Sequence, residues 1–254
     1  MGIHQTAIIE QGAILGVGCV IHAHAMIGRH CELGDGVIVH PFAVIGGDPQ
    51  DLSFKAQTRS GVRIGARTVI REHVTVNRAT AADSCTNVGE DCFLMTGCHV
   101  AHDCLIGNRV VIANAVLLAG HVHIGERAFL GGGAVIHQFC RIGDGVMIGG
   151  GARISLDVAP FLMATERNRI VGLNRVGLRR SGLPRATLDE IKRASGLLEA
   201  GVGNLRELAR DMLRECSFQS LEARGFLQFF IDGRRGFARS RRATRTEQMD
   251  QDEP

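Results

Sequence analysis

His99, His102, Asp103, Gly120, His121, His137 and Gln138 are the residues of this chain that could do acid–base chemistry as a group. Imidazole changes protonation near neutrality and suits a general base. A neighbouring carboxylate can orient or polarise such a ring, and a backbone N–H at glycine can face an oxyanion. His102, Gly120 and Gln138 are each 18 positions apart. They meet only if the chain returns to one place every 18 residues. Gathered histidines also suit a metal site, and trimeric prisms can bind zinc through histidines from two subunits. With 11 histidines in the chain, any single one, such as His4, His22, His24, His30, His40 or His73, reads best as an exposed turn residue.

The elements that would position these residues come from a repeat of six. Aliphatic residues fall at Ile3, Ile9, Leu15, Ile21, Ile27, Leu33, Val39 and Ile45, then at Ile64, Ile70 and Val76. The series then runs without a miss from Val88 through Val100, Leu118 and Ile136 to Ile154. Strands have period 2 and helices 3.6, so neither alone yields six. Short strands joined by sharp corners do. Two residues before each aliphatic stands a small or β-branched residue, and glycine often follows, where we expect it to supply positive φ at the corners. Three hexads per triangular coil would stack coils about 4.8 Å apart. That places the seven residues on one edge within about 10 Å along the axis.

Two stretches break the repeat, at about 47–61 and 77–87, and read as loops thrown out from the prism. The repeat ends after Ile154, so the prism spans 1–160. Residues 161–233 read as a small helical domain. Thr187-Leu-Asp-Glu190 resembles a capping box, Asn204 can cap a helix from Leu205, and a third helix runs from about Phe218 to Ile231. Residues 234–254, rich in arginine, read as a solvated, disordered basic tail.

Six of the eight cysteines fall in the small inner column, where a thiol acts as a small hydrophobe, so neither disulfides nor zinc are expected of them. Cys85 and Cys216 carry no clear signal. The net charge of +3 gathers late in the chain and suits an acidic partner. No nucleic-acid motif appears. No apolar run is long enough to span a bilayer, and the N-terminus lacks a signal pattern, which points to the cytoplasm. A prism has little concavity of its own, so we expect a homotrimer with sites in the clefts between subunits.

Six segments resemble one family closely: Gly47-Asp-Pro-Gln-Asp-Leu, Ile70-Arg-Glu-His-Val-Thr-Val-Asn-Arg, His99-Val-Ala-His-Asp-Cys-Leu-Ile-Gly-Asn-Arg, Leu118-Ala-Gly-His-Val, Ile136-His-Gln-Phe-Cys and Gly172-Leu-Asn-Arg-Val-Gly-Leu-Arg-Arg. The family is the bacterial UDP-N-acetylglucosamine acyltransferases that begin lipid A synthesis, and the resemblance extends to about residue 233. It implies a left-handed parallel β-helix with a C-terminal α-helical domain. It implies transfer of an (R)-3-hydroxyacyl group from acyl carrier protein to the 3-hydroxyl of UDP-N-acetylglucosamine, with no cofactor and no metal. His102 matches the general base, Asp103 its support and Gly120 the oxyanion-hole amide. His99, His121, His137 and Gln138 match substrate-positioning residues, Gln50 and Asp51 contacts to acyl chain or sugar, and Asn174 and Arg180 nucleotide-side contacts. Gly150 matches the position that limits acyl-chain length, and its openness favours a longer chain. The chain departs from the family pattern at Ala79, Val176 and Ser181, and its prism is about one coil shorter. The alternatives are the 3-amino analogue as acceptor, a related N-acyltransferase, and a zinc-dependent trimer of carbonic anhydrase type.

Overall fold

The structure, a computed structural model, describes residues 2–240 apart from Val202, Cys216 and Arg234. Short strands form three sheets of 8, 7 and 9 strands. We call them I, II and III; they hold His99–Val100, Leu105–Ile106 and Val111–Ile112 respectively. The chain visits them in turn and pairs in parallel with itself one coil later, as in His99↔Leu117, Leu105↔His123 and Val111↔Phe129. This is a left-handed parallel β-helix. Each hexad gives most strands two residues, one pointing out and one in. The inward residues Ile70, Leu94, Ile112, Leu118, Leu130 and Ile136 are fully buried. Each contributes roughly 1.5–3 kcal/mol by leaving water.

The inner cysteines behave as the repeat implies. Cys98 and Cys104 are fully buried and unpaired, and burial pushes each thiol up to about 12. Such thiols stay protonated and inert. Cys216 lies outside the described residues.

The glycine expectation needs correcting. Every sheet II strand is followed by glycine, including Gly89, Gly107 and Gly125, yet none of these has positive φ. The left-handed position lies two residues later and is held by Asp91, Arg109 and Arg127. Glycine is needed because the next coil passes too close. A Cβ on Gly107 would lie 2.8 Å from the Glu126 nitrogen, and one on Gly125 2.5 Å from that of Asp144. Along the edge between sheets II and III the coils therefore pack too closely for side chains at these positions.

Both loop excursions leave sheet I and rejoin sheet II. The first runs from Val44–Gly47 to Gly61–Ile64, the second from Thr75–Asn77 to Cys85–Val88. His102, Gly120 and Gln138 lie at the same I/II edge in the next three coils. The loops and the histidine column thus share one edge.

The helices start later than the end of the repeat suggests. Leu162–Thr165 and Arg169–Leu173 first extend sheet III, the last strand antiparallel. Then come α1 (Arg175–Arg180), α2 (Arg185–Ala200), α3 (Leu205–Arg214) and α4 (Leu221–Asp232). Ile191, Leu198, Ala209, Phe226, Leu227 and Phe230 pack between α2, α3 and α4. Asn204 caps α3 as expected. The capping box at Thr187 does not form: α2 begins at Arg185 behind Pro184. Glu190 instead accepts from the Gln219 and Ser220 N–H groups and the Ser220 hydroxyl, fixing the start of α4. The chain also stays ordered past 234. Phe237 and Arg239 bridge to Asp157 and Arg169, and Ala238 is buried. Residues 241–254 of the expected tail lie outside the described residues.

Candidate active site

At the I/II edge each coil turns through a left-handed residue: Asp103 (φ 58°), His121 (φ 59°) and Phe139 (φ 64°). Non-glycine residues adopt this conformation at some expense, and it marks places worth attention. It points the Asp103 carboxylate back along the edge. His102 Nδ1 lies 2.9 Å from Asp103 Oδ2. The same carboxylate accepts from the Thr80 hydroxyl at 2.7 Å and the Thr80 N–H at 3.1 Å, and His121 Nε2 stands 3.7 Å away. The Asp103 N–H in turn donates to the Thr86 hydroxyl. Burial alone would raise the Asp103 carboxyl, but the bonds from Thr80 and His102 outweigh it and hold it below the usual carboxylate value. An ionised carboxylate only accepts, so His102 carries its proton on Nδ1. Its Nε2 is left with a free lone pair.

The His102 ring lies directly over Gly120. A Cβ at Gly120 would sit 2.4 Å from Cε1 and 2.6 Å from Nε2 of that ring. Glycine here is a matter of close approach. The Gly120 N–H has no hydrogen-bond partner among the described residues, so it is available to a ligand oxygen beside the base.

A cleft of about 610 Å³ opens along sheet I from this edge. Gln50, Thr75, His99, His102, Gly120 and Gln138 line it, together with the apolar Leu117 and Val135. His99 is held by the Thr75 hydroxyl at 2.7 Å. Burial, helped by the charge of His102, lowers its affinity for a proton, so it stays neutral near pH 7. Asp51, on the first loop, accepts from the N–H and hydroxyl of Ser53, which hold its carboxyl below the ordinary value; the charges of His102 and His121 add to this. His121 stacks on Phe139 with ring centroids 4.7 Å apart. His137 and Gln138 are exposed at the foot of the edge, and Arg235 donates to the Gln138 carbonyl. Gln50, His99, His102, Gly120 and Gln138 are thus brought together at the cleft, and Asp103 and His121 stand against His102.

Three expected residues lie elsewhere in this chain. Gly150 is at the III/I corner, where a Cβ would meet the Gly132 carbonyl at 3.3 Å. Asn174 caps α1, accepting from the Gly177 N–H and donating to the Gly145 carbonyl at the II/III corner. Arg180 ends α1. Thr75, Thr80, Thr86 and Phe139 were not singled out by the residue pattern. Thr80 stands in an interruption, where the hexad register gives no placement.

His102, Asp103 and His121 offer ligand atoms within 4.8 Å of one another, the one such trio among the described residues. The hydrogen bonds fit it poorly to a cation. Oδ2 of Asp103 already accepts from Thr80 and His102, and the inner nitrogen of His102 carries a proton. Among the described residues no helix is long and apolar enough to cross a membrane.

Residues 157–238 match the family model "Udp N-acetylglucosamine O-acyltransferase; Domain 2". Residues 85–120 and 121–155 match the bacterial transferase hexapeptide model. The acyl-[acyl-carrier-protein]–UDP-N-acetylglucosamine O-acyltransferase of Campylobacter concisus is 36% identical over 255 residues, covering 92% of this chain and 96% of that protein. That of Anaeromyxobacter dehalogenans is 35% identical over 259 residues, covering 94% and 100%. The solved UDP-N-acetylglucosamine O-acyltransferase of Moraxella catarrhalis superposes with a TM-score of 0.87 at 33% identity, covering 94% of this chain and 100% of that one. The enzyme of Campylobacter jejuni superposes at 0.83 with 36% identity. By these measures the chain belongs to the acyl-[acyl-carrier-protein]–UDP-N-acetylglucosamine O-acyltransferase family.

Proposed function

We propose that this chain transfers an (R)-3-hydroxyacyl group from acyl carrier protein to the glucosamine 3-hydroxyl of UDP-N-acetylglucosamine, the first step of lipid A synthesis. The observation that carries this is the His102–Asp103 pair, with Nε2 beside a Gly120 N–H, neither of them hydrogen-bonded among the described residues. A hydroxyl is a poor nucleophile and a thioester carbonyl a modest electrophile. Both a base and an oxyanion donor are therefore needed. His102 Nε2 takes the hydroxyl proton as the oxygen attacks the carbonyl. The tetrahedral oxyanion faces the Gly120 N–H. Collapse breaks the C–S bond, and His102 returns its proton to the departing thiolate. Asp103 holds the tautomer and balances the imidazolium.

The remaining roles follow from place. His99, His121, His137, Gln138, Gln50 and Asp51 would position the sugar and the acyl head around the base. Leu117 and Val135 would carry the acyl chain across sheet I toward the corner at Gly132 and Gly150. Assembly as a homotrimer is supported by the outer side of sheet III, whose strands present Val20, Ile38, Val69, Phe93, Val111 and Phe129 in one apolar column. In a trimer Asn174 and Arg180 would face a neighbour's cleft and serve the nucleotide. Acyl carrier protein and a nucleotide sugar as substrates support a cytoplasmic reaction.

The test is initial-rate assay of purified protein with hydroxyacyl carrier proteins of several lengths. UDP-N-acetylglucosamine and its 3-amino analogue serve as acceptors. Preference for the hydroxyl acceptor supports the proposal; transfer to the amine alone overturns it in favour of N-acylation. The His102–Asp103–His121 trio keeps one other reading open to test. Stoichiometric zinc, essential for turnover in elemental analysis, would replace the proton-transfer mechanism with a metal one.

A further inference from the structure

Loop 77–87 stands where hexad order fails, yet it is built around the catalytic edge. Arg78 is almost fully buried. It pairs with Asp48, donates to the carbonyls of Ala56 and Thr58, and covers the Phe54 ring, so it holds the first loop. Two residues later, Thr80 gives both its N–H and its hydroxyl to the Asp103 carboxylate. In the strand Cys85–Val88 that follows the loop, Thr86, wholly buried, accepts the Asp103 N–H at 2.8 Å. Asp103 has a left-handed backbone and a desolvated carboxylate, and beyond the bond from His102 in its own coil it is Thr80 and Thr86 of the preceding coil that maintain its place and charge.

We infer that Thr80 is a positioning residue for acyl transfer, acting through Asp103 to set the orientation and basicity of His102. This rests on the reading of His102 as the base. The hydroxyl of Thr80 and Nδ1 of His102 both bind Oδ2. With the hydroxyl present, the negative charge of Oδ2 is shared between two donors. Without it, His102 Nδ1–H is the stronger claimant, the ring is drawn toward Asp103, and the imidazolium is favoured. The titratable groups facing His102 are Asp103, His121, His99 and Asp51; substitution at Thr80 removes none of them and acts directly on Asp103 alone.

The experiment compares the wild-type protein with Thr80→Val and Thr80→Ser. Thr80→Val keeps shape and the backbone N–H but loses the hydroxyl. We expect kcat to fall about tenfold with KM within about twofold, as for outer partners that orient a catalytic ring. The acid limb of kcat/KM should move to higher pH by about half a unit. Thr80→Ser should restore both. The His102 ring resonance, followed by NMR without substrate, should titrate at higher pH in Thr80→Val, which tests the link to the base whether or not the assigned acceptor is right. Wild-type-like kcat and His102 titration in Thr80→Val would overturn the inference. So would a loss that Thr80→Ser fails to restore, since that marks a loop needed only for shape.

Discussion

A histidine can act as a base only if it offers an unprotonated nitrogen to the right atom. Asp103 settles this for His102 by accepting a hydrogen bond from its Nδ1–H at 2.9 Å, and Gly120 settles access by leaving the other face of the ring bare. Adding one methyl at Gly120 would therefore move the base. We expect Gly120→Ala, which keeps the backbone N–H but displaces the His102 ring, to lower kcat by about 10²–10⁴, the contribution of a positioned general base. Steady-state kinetics would check it. The column of His102, Gly120 and Gln138 was legible in the sequence because 18-residue spacing needs no loop to be known. Thr80 was not legible, since its contact to Asp103 crosses an interruption of the repeat. Nor was Phe139, whose ring stacks on His121 only because both corners are left-handed.

At the scale of elements, two loops do what the flat faces of a prism cannot. Both leave sheet I at the catalytic edge, and Arg78 fastens the first to the second. Removing its guanidinium in Arg78→Met should free the segment bearing Gln50 and Asp51. The expected result is a rise in acceptor KM of about tenfold with a smaller change in kcat, since positioning is lost and the base is kept. The helical part offers a separate check. Hydrogen bonds from Ser220 hold the Glu190 carboxyl down to about 2, against 4.5 for an ordinary glutamate. A depressed carboxyl stabilises the fold above its unfolded value, and that contribution is lost as pH falls from 4.5 toward 2. Glu190→Gln should therefore lower the thermal midpoint at neutral pH, and the difference from wild type should vanish near pH 2. The sequence pattern placed α3 and α4 closely but missed this partnership. Thr187-Leu-Asp-Glu190 has the form of a local cap, and a glutamate 30 positions from Ser220 gives no sign that it caps another helix.

For the whole molecule, the repeat fixes a rigid prism and leaves an apolar stripe along sheet III, with Val69, Phe93, Val111 and Phe129 in successive coils. If that stripe joins copies into a trimer, Val111→Glu should produce smaller species in sedimentation velocity and cut activity, while the far-ultraviolet dichroism of the β-helix persists. The hexads made the prism readable end to end; the ordered return of Phe237 and Arg239 was not readable, because its partners Asp157 and Arg169 lie far back in the chain. The central claim remains that one imidazole takes the proton of the attacking hydroxyl. It is tested most directly by kcat for His102→Ala with hydroxyacyl carrier protein and UDP-N-acetylglucosamine, with folding checked in parallel. The account predicts a fall of about 10²–10⁴, the contribution of a positioned general base. A folded His102→Ala protein turning over within about tenfold of wild type would contradict it.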